Sequence, residues 1–380
     1  MSKLAPWLCA LILFFLIAPG AAERPVAALF SRSFETAQPG YRFSFPRDHG
    51  AHFNFKTEWW YFTGNLTSGG KEHGYELTFF RRGVDLPQEA AENPSRWAVR
   101  DLYFAHFALT DAEGKRFYNT DKISREAIGK AGARPDRLEV WIDRWRAVQE
   151  SDGTLHLQAE AEGEGEEGRW KIDLLLTPDK PPVIHGTEGI SRKGGEPGQA
   201  SHYISFTRLS TRGTISIDGK ERPASGLSWM DHEFSSSMLN KNQVGWDWFS
   251  IQLEDGREVM LYQIRTVNGG KDPFSGGTVV EPDGTARPIP AEAFRLSPLR
   301  RWKSKKSGGD YPVAWRIEIP AERLSLESEP ILEDQELITS KSTRVAYWEG
   351  ASRFRGKKEG KVIQGKGYIE MTGYAEPFNK

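Results

Sequence analysis

The sequence predicts an all-β protein made of two related halves, each an antiparallel barrel or sandwich. Three observations carry this. The 380 residues include 13 Trp, 11 Tyr, 21 Phe and 38 Gly, a mix that favours strands and tight turns over helices. Short β-branched and aromatic stretches recur between Gly, Asp and Pro, and no segment has a long helical period. A hairpin near the start of the chain also returns, altered, after residue 240. A repeat of half-chain size marks duplication of a whole domain rather than a solenoid, whose periods are about 20–50 residues.

Composition narrows the function classes. Fifty-one Lys plus Arg against 52 Asp plus Glu leave a net charge of −1, without the basic excess that a general hold on nucleic acid requires. The single cysteine, Cys9, cannot form an internal disulfide. It lies in a leader expected over residues 1–22. Lys3 precedes an apolar run over 4–17, Pro19-Gly20 breaks it, and Ala21-Ala22 offers a small-residue cleavage site, the layout of a secretory signal. The run is shorter than the about 20 residues of a membrane span, so no stable transmembrane span is expected after cleavage. The expected location is periplasmic or secreted. A mature chain of roughly 350 residues can bury enough core to fold without disulfides.

The elements follow in order. Residues 57–66 read as a strand, 67–70 as a turn and 74–81 as the returning strand. The later hairpin runs 245–253, 254–257 and 258–265. Trp59-Trp60-Tyr61-Phe62-Thr63 aligns with Trp246-Asp247-Trp248-Phe249-Ser250, Phe80-Arg81 with Ile264-Arg265, and 108–114 with 278–284. The division is expected after the strand 213–217 and its turn, giving an N-terminal unit 23–224 and a C-terminal unit 225–380. Closing each sheet removes exposed edges, and a barrel of about eight strands can hold one small ligand. Residues 160–168, 300–310 and 353–361 read as solvated loops. The first contains Gly163-x-Gly165-x-x-Gly168, but its glutamates would repel a pyrophosphate and no helix follows.

Chemistry concentrates in a few motifs. In Glu58-Trp59-Trp60-Tyr61-Phe62, Trp59 and Tyr61 share one face of a strand and Trp60 and Phe62 the other. Such a strand is covered on both sides, either as core or as the wall of an apolar pocket. Asp247 replaces Trp60 in the second half and shares a face with Phe249 and Ile251, where a carboxylate needs a partner or a raised pKa. Trp229-Met230-Asp231-His232-Glu233 sets three ionisable side chains between aromatics. When extended, Asp231 and Glu233 point one way with Trp229, and His232 points the other. They read as a connector whose charges pair with arginines or cap backbone groups, or as an acid or base tuned by aromatic burial. Neighbours on a strand cannot all reach one ion, and His-Glu-x-x-His is missing. No metal is therefore expected without a distant ligand such as His106. His106, in the apolar strand 102–109, is either a hydrogen-bonded core residue or a polar contact within a cavity. The glycine-punctuated stretch 181–194 reads as a long loop across a barrel mouth. Without a Gly-x-Ser-x-Gly elbow, a phosphate loop or a mature cysteine, a serine or cysteine hydrolase lacks its nucleophile. No cofactor is expected.

Glu58-Trp59-Trp60-Tyr61-Phe62-Thr63-Gly64-Asn65-Leu66, Ala105-His106-Phe107-Ala108, Lys180-Pro181-Pro182, Trp229-Met230-Asp231-His232-Glu233, Gly245-Trp246-Asp247-Trp248-Phe249, Tyr347-Trp348-Glu349-Gly350 and the stretch 367–374 carry a resemblance. Together they resemble the tandem lipocalin-like proteins of the carotenoid 1,2-hydratase (hydroxyneurosporene synthase) superfamily. The nearest branch is the secreted "predicted hydrolase" group associated with ABC transporters. The resemblance implies two lipocalin-like antiparallel β-barrels in tandem and an apolar cavity lined by aromatics. It makes Asp231 the candidate acid, with His232 or Glu233 as its tuner. Trp59, Tyr61, Trp229, Trp246 and Trp248 become the wall, and the residue reading adds His106 and Asp247 as polar ligand contacts. The expected function is binding of a hydrophobic small molecule or lipid near the inter-domain seam, in the service of an ABC transporter. The alternative is a hydratase or isomerase acting on an apolar alkene through Asp231. A structural periplasmic partner of a transporter is the third reading.

Overall fold

The computed structural model describes residues 33–86, 99–163, 168–237 and 239–377; the leader expected over 1–22 lies outside the described residues. Strand makes up 61% and helix 3%, and two antiparallel sheets curl into tandem barrel-like shapes.

The first sheet opens with β1 (Thr57–Ser68), β2 (Lys71–Gly83), β3 (Asp101–Asp111) and β4 (Arg116–Arg125). Three short strands follow, β5 (Ala131–Ala133), β6 (Glu139–Ile142) and β7 (Trp145–Gln149), then β8 (Leu155–Glu162) and β9 (Arg169–Pro178). The two-residue strands β10 (Val183–Ile184) and β11 (Ser191–Arg192) both pair with β12 (Ala200–Ile217), which turns into β13 (Lys220–Ser235). The second sheet begins with β14 (Gln243–Leu253), β15 (Glu258–Thr266), β16 (Gly276–Val280) and β17 (Ala286–Pro290). It continues through β18 (Arg295–Lys303), β19 (Asp310–Ile319) and β20 (Leu324–Pro330), and ends with β21 (Glu336–Ile338), β22 (Ala346–Lys358) and β23 (Lys361–Met371).

Duplication is visible in the strand order. The first sheet runs β4-β3-β2-β1-β13-β12-β9-β8-β7-β6-β5 and the second β17-β16-β15-β14-β23-β22-β20-β19-β18. In each, the first strand lies between the second and the last. Register agrees with the sequence alignment: Trp59 faces Phe80 where Trp246 faces Ile264, and Ala108 faces Glu76 where Thr278 faces Met260. The expected break at 224/225 needs correction. It falls inside β13, which pairs along its length with β1 and β12, so the first sheet extends to Ser235. The turn at 218–219 is a hairpin within one sheet.

Outer strands alternate buried and wet residues, as in β8 and β20, which is how a one-sided sheet reads. Two expected loops are strands over part of their length. Residues 300–303 end β18 and 353–358 end β22, whose Phe354 is buried between the exposed or half-buried Arg353 and Arg355. In β22 charge density masked a period of two. Both interiors are packed with side chains: Trp60, Phe107, Trp145 and Trp170 in the first, Phe249, Trp315, Trp348 and Phe354 in the second.

Candidate active site between the two barrels

β1, β2, β12 and β13 are buried on both faces over much of their length, because one face fills a barrel and the other meets β14, β15, β22 and β23. Close approach is built in at Gly74 on β2, where a Cβ would lie 2.4 Å from that of Ala351 on β22. Hydrogen bonds fix the joint: Tyr61 Oη donates to Glu349 Oε2 (2.8 Å), Asn65 Nδ2 to the Gly367 carbonyl (2.9 Å) and Trp248 Nε1 to Tyr203 Oη (3.0 Å). Buried Glu258 is held by Lys180 (2.7 Å) and Arg208 (2.5 Å). The stretch 181–194 braces this joint rather than crossing a barrel mouth, since His185 bridges Thr278 of the second sheet and Ser205 of the first.

The seam gathers Tyr61, Tyr203, Trp229, Trp248 and Tyr368 with half-buried Trp59, Trp246 and Tyr262. Asp231 lies among them, 4% exposed. Trp229 Nε1 (2.6 Å), Tyr203 Oη (2.5 Å) and the Ser205 hydroxyl all donate to its carboxyl. Burial raises its pKa to about 7 against the pull of those donors. Glu233, on the same face, pairs with Lys193 at 3.3 Å, and that ammonium lies over the Tyr262 ring. Three more carboxyls face the seam. Burial pushes Glu370 up to about 8, and burial with neighbouring carboxylate charge raises Glu76 and Glu349. Glu76 Oε2, Glu349 Oε1 and Thr63 Oγ1 are buried without a hydrogen-bond partner.

The structure thus unites Trp59, Tyr61, Trp229, Asp231, Glu233, Trp246 and Trp248. It separates three other expected residues from them. His232 points into the first barrel, as the alternation requires, and does not touch Asp231; of the two expected tuners Glu233 acts on it, its charge raising the carboxyl while Tyr203, Ser205 and Trp229 lower it. Asp247 faces the interior of the second barrel, where Arg265 and Tyr374 (2.9 Å) bind it. His106 lies on the seam face but at its flank, between Tyr347 Oη (2.5 Å) and Ser342 Oγ (3.1 Å), and burial lowers its pKa to about 4.

His232 has a different setting from the one the sequence suggested. Its distant partner is not His106. His52 and Glu58 meet it, and one ligand atom from each of the three lies within 4.8 Å of the others. Gly50 permits this: a Cβ there would come within 2.7 Å of the Arg134 carbonyl, where the loop carrying His52 docks on the β5–β6 connection. The run Asp48-His49-Gly50-Ala51-His52 ahead of Glu58 was the overlooked signal. Glu370 also had one, since Tyr368-Ile369-Glu370 repeats the aromatic–apolar–acid order of Trp229-Met230-Asp231.

Comparison with known proteins places this geometry. The family model described as AttH-like matches residues 36–374. The chain belongs to the AttH-like family. A Nitrosomonas europaea protein described as AttH (NE1406) shares 35% identity with this AttH-like chain, covering 90% of it and 99% of that chain, with a TM-score of 0.79. Kievitone hydratase from Nectria haematococca has the same fold at 15% identity and a TM-score of 0.64, covering 91% and 98%. CghA with Sch210972 follows at 13% and 0.50, covering 91% and 97%. No curated protein matches the chain in sequence. The expected all-β fold of two tandem antiparallel barrels is borne out, and kievitone hydratase shares it.

Proposed function

We propose that the seam is an acid–base active site that adds water to, or removes it from, an apolar alkene-bearing substrate, with Asp231 as the general acid. The supporting observation is the placement of Asp231: a carboxyl buried among indole rings and held by three donors. In this reading the carboxyl gives its proton to one alkene carbon, and the π pair becomes the new C–H bond. The cationic carbon left behind faces the rings of Trp59, Trp229, Trp246 and Trp248, whose negative faces stabilise it. Water adds to that carbon and its surplus proton returns to Asp231, so the enzyme ends as it began. The fold shared with kievitone hydratase supports this by analogy alone. Export through the 1–22 leader and service to an ABC transporter belong to the same proposal. A lipid or hydrophobic small-molecule carrier would use the same seam, and half-buried Trp59 and Trp246 at its margin favour that second reading.

The test incubates wild type and Asp231→Asn with prenylated and polyene substrates in heavy-oxygen water. Product carrying the label in wild type and none in the variant, with ligand binding retained, supports the proposal. Equal labelling by the two, or ligand recovered unchanged from active-folded wild type across the panel, refutes it; the latter favours the carrier.

A further inference from the structure

We propose that His52, Glu58 and His232 bind one divalent transition-metal ion inside the first barrel, beneath the Arg47–His49 turn. The site lies on the opposite face of β13 from Asp231 and stands independently of the seam chemistry. Two ring nitrogens converge on one carboxylate oxygen: His52 Nδ1 and His232 Nε2 are each 2.9 Å from Glu58 Oε1. Donors about 2.05 Å from an ion and at right angles to one another are about 2.9 Å apart. Two histidines and a carboxylate on one side of an ion, with further positions open, form a known catalytic donor set.

On the side away from Glu58, His52 Nε2 lies 3.3 Å from Asp48 Oδ1. The outer shell is already in place. Asp48 orients His52 and is itself fixed by the Ser44 N–H (2.6 Å) and Tyr41 Oη (3.1 Å). Arg81 Nε (3.0 Å) takes the other Glu58 oxygen, Oε2, and the His52 N–H is shared between Oε2 (2.9 Å) and Oε1 (3.1 Å), which fixes the carboxylate with Oε1 toward the two rings. Such outer partners fix the tautomer and orientation of metal ligands. All three ligands are 3% exposed or less, so the ion is acquired during folding.

Full-length protein produced with added zinc is assayed for bound metal by mass spectrometry, and the same protein produced with cobalt is assayed for visible d–d absorption. One equivalent of metal and a five- to six-coordinate cobalt spectrum are expected, with at least a tenfold loss of bound metal in His52→Gln and His232→Gln. Folded wild type that carries no metal and shows no cobalt spectrum overturns the proposal and leaves a proton-bound cluster. So does stoichiometric metal retained in both variants. Because the wild-type spectrum decides alone, a variant that fails to fold does not rescue the idea.

Discussion

Asp231 and Glu370 occupy matching places in the two sheets. Asp231, on the last strand of the first sheet, lies opposite Tyr61; Glu370, on the last strand of the second, lies opposite Trp248, and Tyr61 and Trp248 are themselves equivalent. Both carboxyls face the seam and burial raises both, yet Asp231 reaches about 7 and Glu370 about 8. Three donors surround Asp231, whereas the indole of Trp246 is the side-chain donor to Glu370. Donors favour the charged form and burial the neutral one. The duplicated frame thus fixes where the acids stand and buries both, while the donors around each differ.

The comparison is broken most severely at the acids themselves. Asp231→Asn should lower turnover by about 10²–10⁴-fold, the usual worth of a general acid, while Glu370→Gln costs less than a tenth of that; equal losses in steady-state assays would make the two acids interchangeable. The same contrast holds one residue pair along the frame. Gly74 and Glu258 are equivalent, opposite Asn65 and Gln252. Glu258→Ala strands the cations Lys180 and Arg208 and should destabilise by about 3–5 kcal/mol in urea denaturation. Gly74→Val, which only wedges the sheets apart, should cost about 1–3 kcal/mol.

Titration sharpens it further. Burial raises the folded pKa of Glu370 from 4.5 to about 8, so between those values the folded state holds a proton that the unfolded state has released. Stability from this group is complete below pH 4.5 and falls as pH rises toward 8. Glu370→Gln should flatten that part of the stability–pH curve; an unchanged slope would show that Glu370 does not carry it. The smallest effects are expected at the paired donors. Tyr61→Phe and Trp248→Phe each delete one seam hydrogen bond and should cost about 0.5–1.5 kcal/mol, with Tyr61→Phe the larger because Glu349 already has one oxygen without a partner.

What the sequence determined by itself was the strand period and the repeat. Alternation along β1, β13 and β14 placed Trp59 with Tyr61, Asp231 with Glu233, and Asp247 with Phe249, because a strand sends neighbours to opposite faces. That local rule is silent about which face meets which partner. Only the packing of sheet on sheet decided that the face of Asp231 became the seam and that of His232 the barrel interior. Glu76, Glu349 and Glu370 are separated by up to 294 positions in the chain and share the seam only through folding. The His52–Glu58–His232 cluster arose in the same way: the run 48–52 ahead of Glu58 marks the loop, but only long-range strand pairing brings His232 of the thirteenth strand to it.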